Sequence, residues 1–286
     1  MNIPERYRST WSLPGANRLA FTVGVPFEAF INQSQISLVA KPGARDAFSL
    51  SYADYGWKVG IWRLLELLDA HGLRASMSVN GLAALRHPDI VRTIAEAGHE
   101  VVGHGWANDV HTKNLGRDAE GEDITRVTEA IAQAAGCRPI GWTSPGSSGS
   151  DDTVELLSER GYKWVGDDAS DDVPFKLTTA SGPFAILPRT NLFTNDLTQW
   201  ALPRNSPEEF WTSFKNTFDQ LYEEGRPGHA KWIDLTLHSH IAGRATLVPA
   251  IRRCIAYARS HDGVYYARKC DLALDVLGEK PLAPDC

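Results

Sequence analysis

The chain has 286 residues, 43% of them hydrophobic and 22% charged, a composition that fits a globular domain able to bury a substantial core. Its net charge of −6 is spread without a block of like charge, which argues against nucleic acid or anionic membrane as the main partner, since both select a basic face. No run reaches transmembrane length, the opening "MNIPERYRSTWSLPG" lacks the apolar core of a signal peptide, and Cys137, Cys254, Cys270 and Cys286 form no CxxC pair, so the expectation is a cytoplasmic protein with reduced thiols.

Residues 1–17 read as an arm or subunit contact, and 18–286 as a single domain. From Arg18 the pattern alternates. "RLAFTVGV" has the residues of a buried strand; "KVGIWRLLELLDAHG" repeats its apolar residues at helical spacing and stops at Gly72. "RASMSVN" is a strand, "HPDIVRTIAEAG" a helix with Pro88 near its start, "HEVVGHG" a strand, "GEDITRVTEAIAQAAG" an amphipathic helix and "RPIGWTSPG" a strand entering a loop. "SDDTVELLSERG", "YKWVGDD" and "FAILPR" continue as helix, strand and strand, with Asp168 to Thr198 the least regular stretch. A long helix follows in "SPEEFWTSFKNTFDQLYEEG", with Ser206 placed to cap it and Pro207 at its first turn. "WIDLTLHSH", "TLVPAIRRCIAYARSHDG" and "VYYARK" complete the series as strand, helix and strand. About seven such units predict an α/β fold with a parallel sheet, rolled into a closed or nearly closed (β/α)7-8 barrel. Residues 29–55 are long for a loop and are expected to cover substrate.

Polar residues gather at strand ends. Glu28 follows the first strand; His104, Asn108 and Asp109 follow the third; Trp142 and Ser144 lie at the fourth; His238 and His240 end the penultimate one. A carboxylate and imidazoles on one rim can bind a metal or move protons near neutral pH. Each also has a plainer reading. His104 between Gly103 and Gly105 can be satisfied by backbone, and His238 can be a hydrogen-bonded core ring. Glu28 alone reads as a loop residue, as does His111, and Trp106 and Trp142 fit core packing as well as they fit pocket walls. The pairs Asp167/Asp168 and Asp171/Asp172 read as turn chemistry.

The segments "EAGHEVVGHGW", "GWTSP", "TNDLTQW", "LYEEG", "LTLH" and "YARSHDGVYYARKCDLA" make the chain resemble the polysaccharide deacetylase superfamily from about Arg18 to Leu277. The resemblance is strongest to the subgroup with cofactor-independent allantoinases, cyclic imide hydrolases and peptidoglycan-deacetylase-like proteins. It implies a distorted barrel and hydrolysis of amide C–N bonds. It also implies a metal held by an aspartate and two histidines four apart, but here those places are taken by Glu28, His104 and Asn108. The position of the general-base aspartate is Pro26, and that of the arginine after "SP" is Gly146; the late histidine survives as His238. A Glu28–His104–Asn108 site offers zinc or manganese one neutral oxygen among its three donors, so the expectation is no cofactor or a weakly bound divalent metal, with Asp109, His111, His238 or His240 as substitutes should the loop fold back.

Together these features imply a hydrolase of a small, cyclic amide, ureide or imide. Glu28, His104 and His238 are the catalytic candidates; Trp106, Asn108, Trp142, Ser144, Asn195, Asp196 and His240 are the candidates for contacting substrate. Two alternatives stand beside it: an N-deacetylase of a carbohydrate or peptidoglycan fragment, and a binding protein that has kept the barrel without the reaction. The expected partner is a small molecule, and tryptophans such as Trp11, Trp200 and Trp211 point to a homo-oligomer.

Overall fold

The structure, a computed structural model, describes residues 10–38, 43–188 and 192–280. In chain order its elements are β1 (Leu19–Phe27), α1 (Ala47–Tyr55), α2 (Ile61–Ala70), β2 (Ser76–Val79), α3 (Gly81–Arg86), α4 (Pro88–Glu96), β3 (Glu100–Gly103), α5 (Arg117–Ala135), β4 (Gly141–Trp142), α6 (Thr153–Glu159), β5 (Trp164–Val165), β6 (Phe175–Thr179), β7 (Gly182–Ile186), α7 (Pro207–Glu224), β8 (Lys231–Thr236), α8 (Val248–Arg259), β9 (Val264–Tyr266) and α9 (Lys269–Leu277).

The strands form one curled sheet in the order β6-β7-β5-β4-β3-β2-β1-β8, parallel except for the β6–β7 hairpin. β1 is its axis. All nine of its residues are buried, as an unbroken apolar run requires. It pairs with β8 from Leu19 to Gly24, with β2 from Gly24 to Phe27, and with β9 at Leu19 to Phe21. Among the described residues no ladder joins β6 to β8, so the barrel stays open at that seam. The chain between β7 and α7 fills part of it: Asn195 bridges Thr236, and Thr194 Oγ1 donates to the Asp234 carbonyl at 2.6 Å.

The helices carry the expected stop and start signals. Ser206 and Glu209 form a reciprocal capping box on α7, Pro88 opens α4, and Gly136 ends α5 in the left-handed conformation. Phe210, Phe214 and Phe218 on one face of α7 pack, fully buried, toward Phe21 and Ile251 in a continuous core. Four elements go beyond the sequence pattern. α1 and α3 are too short to show a helical period, β6 lies in the irregular stretch after Asp168, and α9 begins inside the "ARKCDLA" run.

α9 is fastened from within. Glu100, at the start of β3, accepts hydrogen bonds from Ser76 Oγ, Trp164 Nε1 and the Cys270 amide, and the Lys269 ammonium reaches the buried Asp234 carboxylate at 3.1 Å. Thr22 and Thr236 hydroxyls also donate to Asp234. Of the expected arm, residues 1–9 lie outside the described residues; Trp11 accepts from the Ala230 amide and donates its ring N–H to Asp275. Cys254 and Cys270 are buried free thiols, and Cys286 lies outside the described residues. No described helix is long and apolar enough to cross a membrane.

One close approach sets the position of the site. A Cβ on Gly60 would stand 1.9 Å from the Ser239 carbonyl oxygen, so only glycine lets the turn before α2 press against the segment that carries His238 and His240. Gly60→Ala is expected to lower the unfolding free energy by about 1–3 kcal/mol, as overpacking does, measured by urea titration. Because the displaced backbone joins two site histidines, activity at a temperature where the variant is fully folded should fall as well.

Candidate active site

The strand termini bring a buried cluster together. Glu28 follows β1, His104 follows β3, and His238 and His240 follow β8. The Glu28 side chain is 2% exposed. Its Oε1 lies 3.5 Å from His104 Nε2 and 3.8 Å from His238 Nε2, and its Oε2 lies 3.8 Å from His240 Nδ1. Burial alone would raise the Glu28 pKa. The positive charge of His238, a hydrogen bond from His104 and the charges of His240 and His104 outweigh it and hold the carboxyl at about 2.

Two rings are oriented from behind. His104 Nδ1 is 2.5 Å from the Thr143 carbonyl oxygen, and His238 Nδ1 is 2.6 Å from Asp196 Oδ1, whose other oxygen accepts the His238 amide at 2.8 Å. A carbonyl oxygen and a carboxylate only accept, so both rings carry the proton on Nδ1 and turn Nε2 to Glu28. The Nε2 atoms are thus the ones that gain and lose a proton. Burial raises Asp196 against the pull of His238. His240 is lowered to about 4, because burial, with the positive charges of His238 and Arg244, outweighs the attraction of Glu28.

The segment expected to cover substrate does lie on the cluster, except for residues 39–42, which fall outside the described residues. Gln35 Nε2 donates to Glu28 Oε2 at 2.9 Å. Asp109 pins this loop by accepting the amides of Ile31, Asn32 and Gln33, so it anchors a loop instead of reaching for a cation. Arg244 stacks on the rings of Tyr52 and Tyr55 and donates to the Tyr52 and His240 carbonyls, tying α1 to the histidine-bearing turn. A cleft of about 340 Å³, lined in part by Glu28, Phe30, Trp57, Arg86 and His87, runs beside the loop.

The model for the family described as polysaccharide deacetylase matches residues 41–165. The structure superimposes on that of PuuE allantoinase with a TM-score of 0.83 and 27% identity, covering 95% of this chain and 94% of that one. It superimposes on a probable polysaccharide deacetylase from Pseudomonas aeruginosa with a TM-score of 0.82 and 28% identity, over 93% of each chain. In sequence and in fold the chain is thus similar to polysaccharide deacetylases and to an allantoinase, consistent with the polysaccharide deacetylase superfamily. A peptidoglycan deacetylase of Helicobacter pylori is 23% identical over 79% of this chain and 87% of its own. The proteins it resembles over most of its length are named as deacetylases and an allantoinase.

The metal expected of metal-dependent superfamily members does not fit these residues. Among the described residues no three His, Cys, Asp or Glu side chains gather in ligand geometry. Asn108, in the place of the third donor, offers a neutral oxygen, which is buried and accepts no hydrogen bond from the described residues.

Other sequence candidates fall elsewhere. Trp142, expected as a wall of the pocket, is wholly buried edge-on to Tyr162 and donates to Ser144 Oγ, so it has no face for a ligand. Ser144 is buried beside it, its amide donating to Asp167. Trp106 packs over Gly81 with the Arg126 guanidinium 3.7 Å above its ring. Asn195 caps the amides of Leu197 and Thr198. Asp196, expected at substrate, instead holds His238. His111 is exposed, against Gly146. Gln35 carried no motif, and only its place after Glu28 hinted at it.

An unfolded glutamate titrates near 4.5 and the folded Glu28 at about 2, so the cluster adds stability above pH 4.5 and gives it up as pH falls toward 2. In Glu28→Gln the unfolding free energy should fall by about 2 kcal/mol less than in the wild type between pH 7 and pH 3, read by urea titration at each pH.

Proposed function

We propose that this protein adds water to a small cyclic amide, ureide or imide and opens its ring without a metal. The observation that carries the reading is one ionised carboxylate oxygen, Glu28 Oε1, faced by the proton-exchanging Nε2 atoms of both His104 and His238. The likeness to PuuE allantoinase over nearly the whole chain supports it.

In this reading water attacks the carbonyl carbon, and its proton passes to Nε2 of neutral His104, the Glu28 anion beside it stabilising the imidazolium that forms. The new C–O bond forms, the ring C–N bond breaks, and His238 delivers its Nε2 proton to the departing nitrogen. Asp196 keeps the His238 proton on Nδ1 and stabilises the imidazolium, the role a buried carboxylate plays behind a catalytic histidine. Glu28, held at about 2, remains an anion throughout the neutral range and serves as the fixed counter-charge for both rings.

A second reading keeps the same groups and changes the substrate: removal of an N-acetyl group from a carbohydrate or peptidoglycan fragment. The matching family model and the Helicobacter pylori relative favour it.

The two are separated by mass spectrometry of the purified protein with cyclic ureides and imides on one side and N-acetylated sugars on the other. A product that has gained one water and lost no atoms is expected; acetate release instead establishes the second reading. Glu28→Gln and His238→Ala should each lower kcat by about 10²–10⁴-fold, and Asp196→Asn should lower kcat with KM nearly unchanged. A chelator should leave the rate within about twofold, the change expected when no ion takes part; a chelator-sensitive rate restored by zinc or manganese would overturn the metal-free mechanism.

A further inference from the structure

The two oxygens of Glu28 face different surroundings. Oε1 meets the Nε2 atoms of His104 and His238, whereas Oε2 meets Gln35 Nε2 at 2.9 Å and His240 Nδ1 at 3.8 Å. A carboxylate only accepts, so the atom of Gln35 facing it is the amide nitrogen, and the other end of the carboxamide is its carbonyl oxygen. That oxygen, Gln35 Oε1, is buried and accepts no hydrogen bond from the described residues, and the same holds for His240 Nε2. With Nδ1 turned to the Glu28 anion, neutral His240 carries its proton there and leaves Nε2 as an acceptor. The two groups that meet Glu28 Oε2 therefore each carry a buried acceptor, and leaving a buried acceptor unmatched is costly.

The carboxamide is held in place by its loop. Asp109 binds the amides of residues 31 to 33, Ser34 donates its amide to Ser49 Oγ and its hydroxyl to the Ser49 carbonyl, and Ser37 Oγ donates to Asp46 at 2.7 Å. Gln35 thus projects from a segment fixed on both sides, and one of its two Nε2 hydrogens suffices for Glu28.

We infer that Gln35 is a specificity-determining residue that reads the cis-amide edge of the substrate, with its Oε1 accepting the ring N–H and its second Nε2 hydrogen donating to the adjacent carbonyl. The inference rests on the proposed ring-opening reaction and names its substrate class more closely. A carboxamide presents donor and acceptor side by side, and it matches a partner whose N–H and C=O point the same way. Rings force that arrangement in lactams, ureides and imides. An open-chain secondary amide, including an N-acetyl group, holds N–H and C=O on opposite sides and cannot pair with one carboxamide at both points. His240 Nε2 is placed to accept a second N–H, which favours rings of the ureide type.

The test measures dissociation constants by ligand-observed NMR, at times short against turnover, for succinimide, hydantoin, N-methylsuccinimide and N-methylacetamide. Wild-type protein should bind the two rings with a free N–H at least ~30-fold more tightly than the N-methylated ring and the open-chain amide. Gln35→Ala should reduce that ratio below ~3-fold by losing affinity for the N–H rings. Equal binding of succinimide and N-methylsuccinimide by the wild type, a ratio retained in Gln35→Ala, or no binding of either N–H ring would each overturn the assignment. Rings bound with the expected preference but recovered without added water would sink the hydrolytic reading and leave Gln35 as the edge reader. Ring opening at equal rates with and without the N–H would do the reverse.

Discussion

The constraint on which this structure depends is a carboxylate taken out of water. An isolated anion buried as deeply as Glu28 would cost many kcal/mol, so its surroundings are built to supply positive charge and N–H donors. His104, His238, His240 and Gln35 provide them from three separate parts of the chain. Each partner in turn needs a fixed tautomer or a fixed loop, and the Thr143 carbonyl, Asp196 and Asp109 meet those needs. The order of dependence runs outward from one anion, which explains why so many polar side chains at this end of the sheet are buried.

The same anion decides what the altered motif can do. With Asn108 where a second imidazole would stand, the cluster lacks a strong third donor, yet its proton-exchanging atoms still converge. Proton transfer asks for one carboxylate and a pair of oriented rings, a smaller requirement than a coordination shell. The "HGWAND" stretch accordingly divides its work. His104 faces the anion, Asn108 donates its backbone amide to the Ala29 carbonyl, and Asp109 secures the covering loop.

The long, periodic elements were legible in the sequence: β1, α2, α5, α7 and α8 each carry enough turns or apolar residues to declare their type. The helices α1 and α3 and the hairpin strand β6 were not, because five to nine residues give too few repeats and their placement comes from tertiary contacts. At the site, Glu28, His104, His238 and His240 stood out as ionisable residues at strand ends, where this architecture places chemistry. Trp142 shows the limit of that signal. A strand end has two sides, and the ring of Trp142 went to the core, where Gly103 makes room for it. Asp196 and Asp109 were visible as acidic residues near the motifs, but a sequence does not say whether a carboxylate meets substrate or steadies a neighbour. Gln35 was silent, since a glutamine in a loop gains meaning only from the charge beside it.

The pairing of β1 has a consequence for how the chain is made. Its edges are completed by β2, β8 and β9, and the Thr22 hydroxyl finds its acceptor on Asp234, 212 residues later. During synthesis the first strand therefore leaves the ribosome long before most of its ladder exists, and it is among the most apolar segments of the protein. The nascent chain has to keep that strand from other partners until β8 and β9 arrive, so chaperone demand should be greatest in the middle of translation. Glu28, at the end of the same strand, can meet His104 once β3 has been made but gains His238 and His240 only after β8, so its full set of imidazole partners waits for that closure.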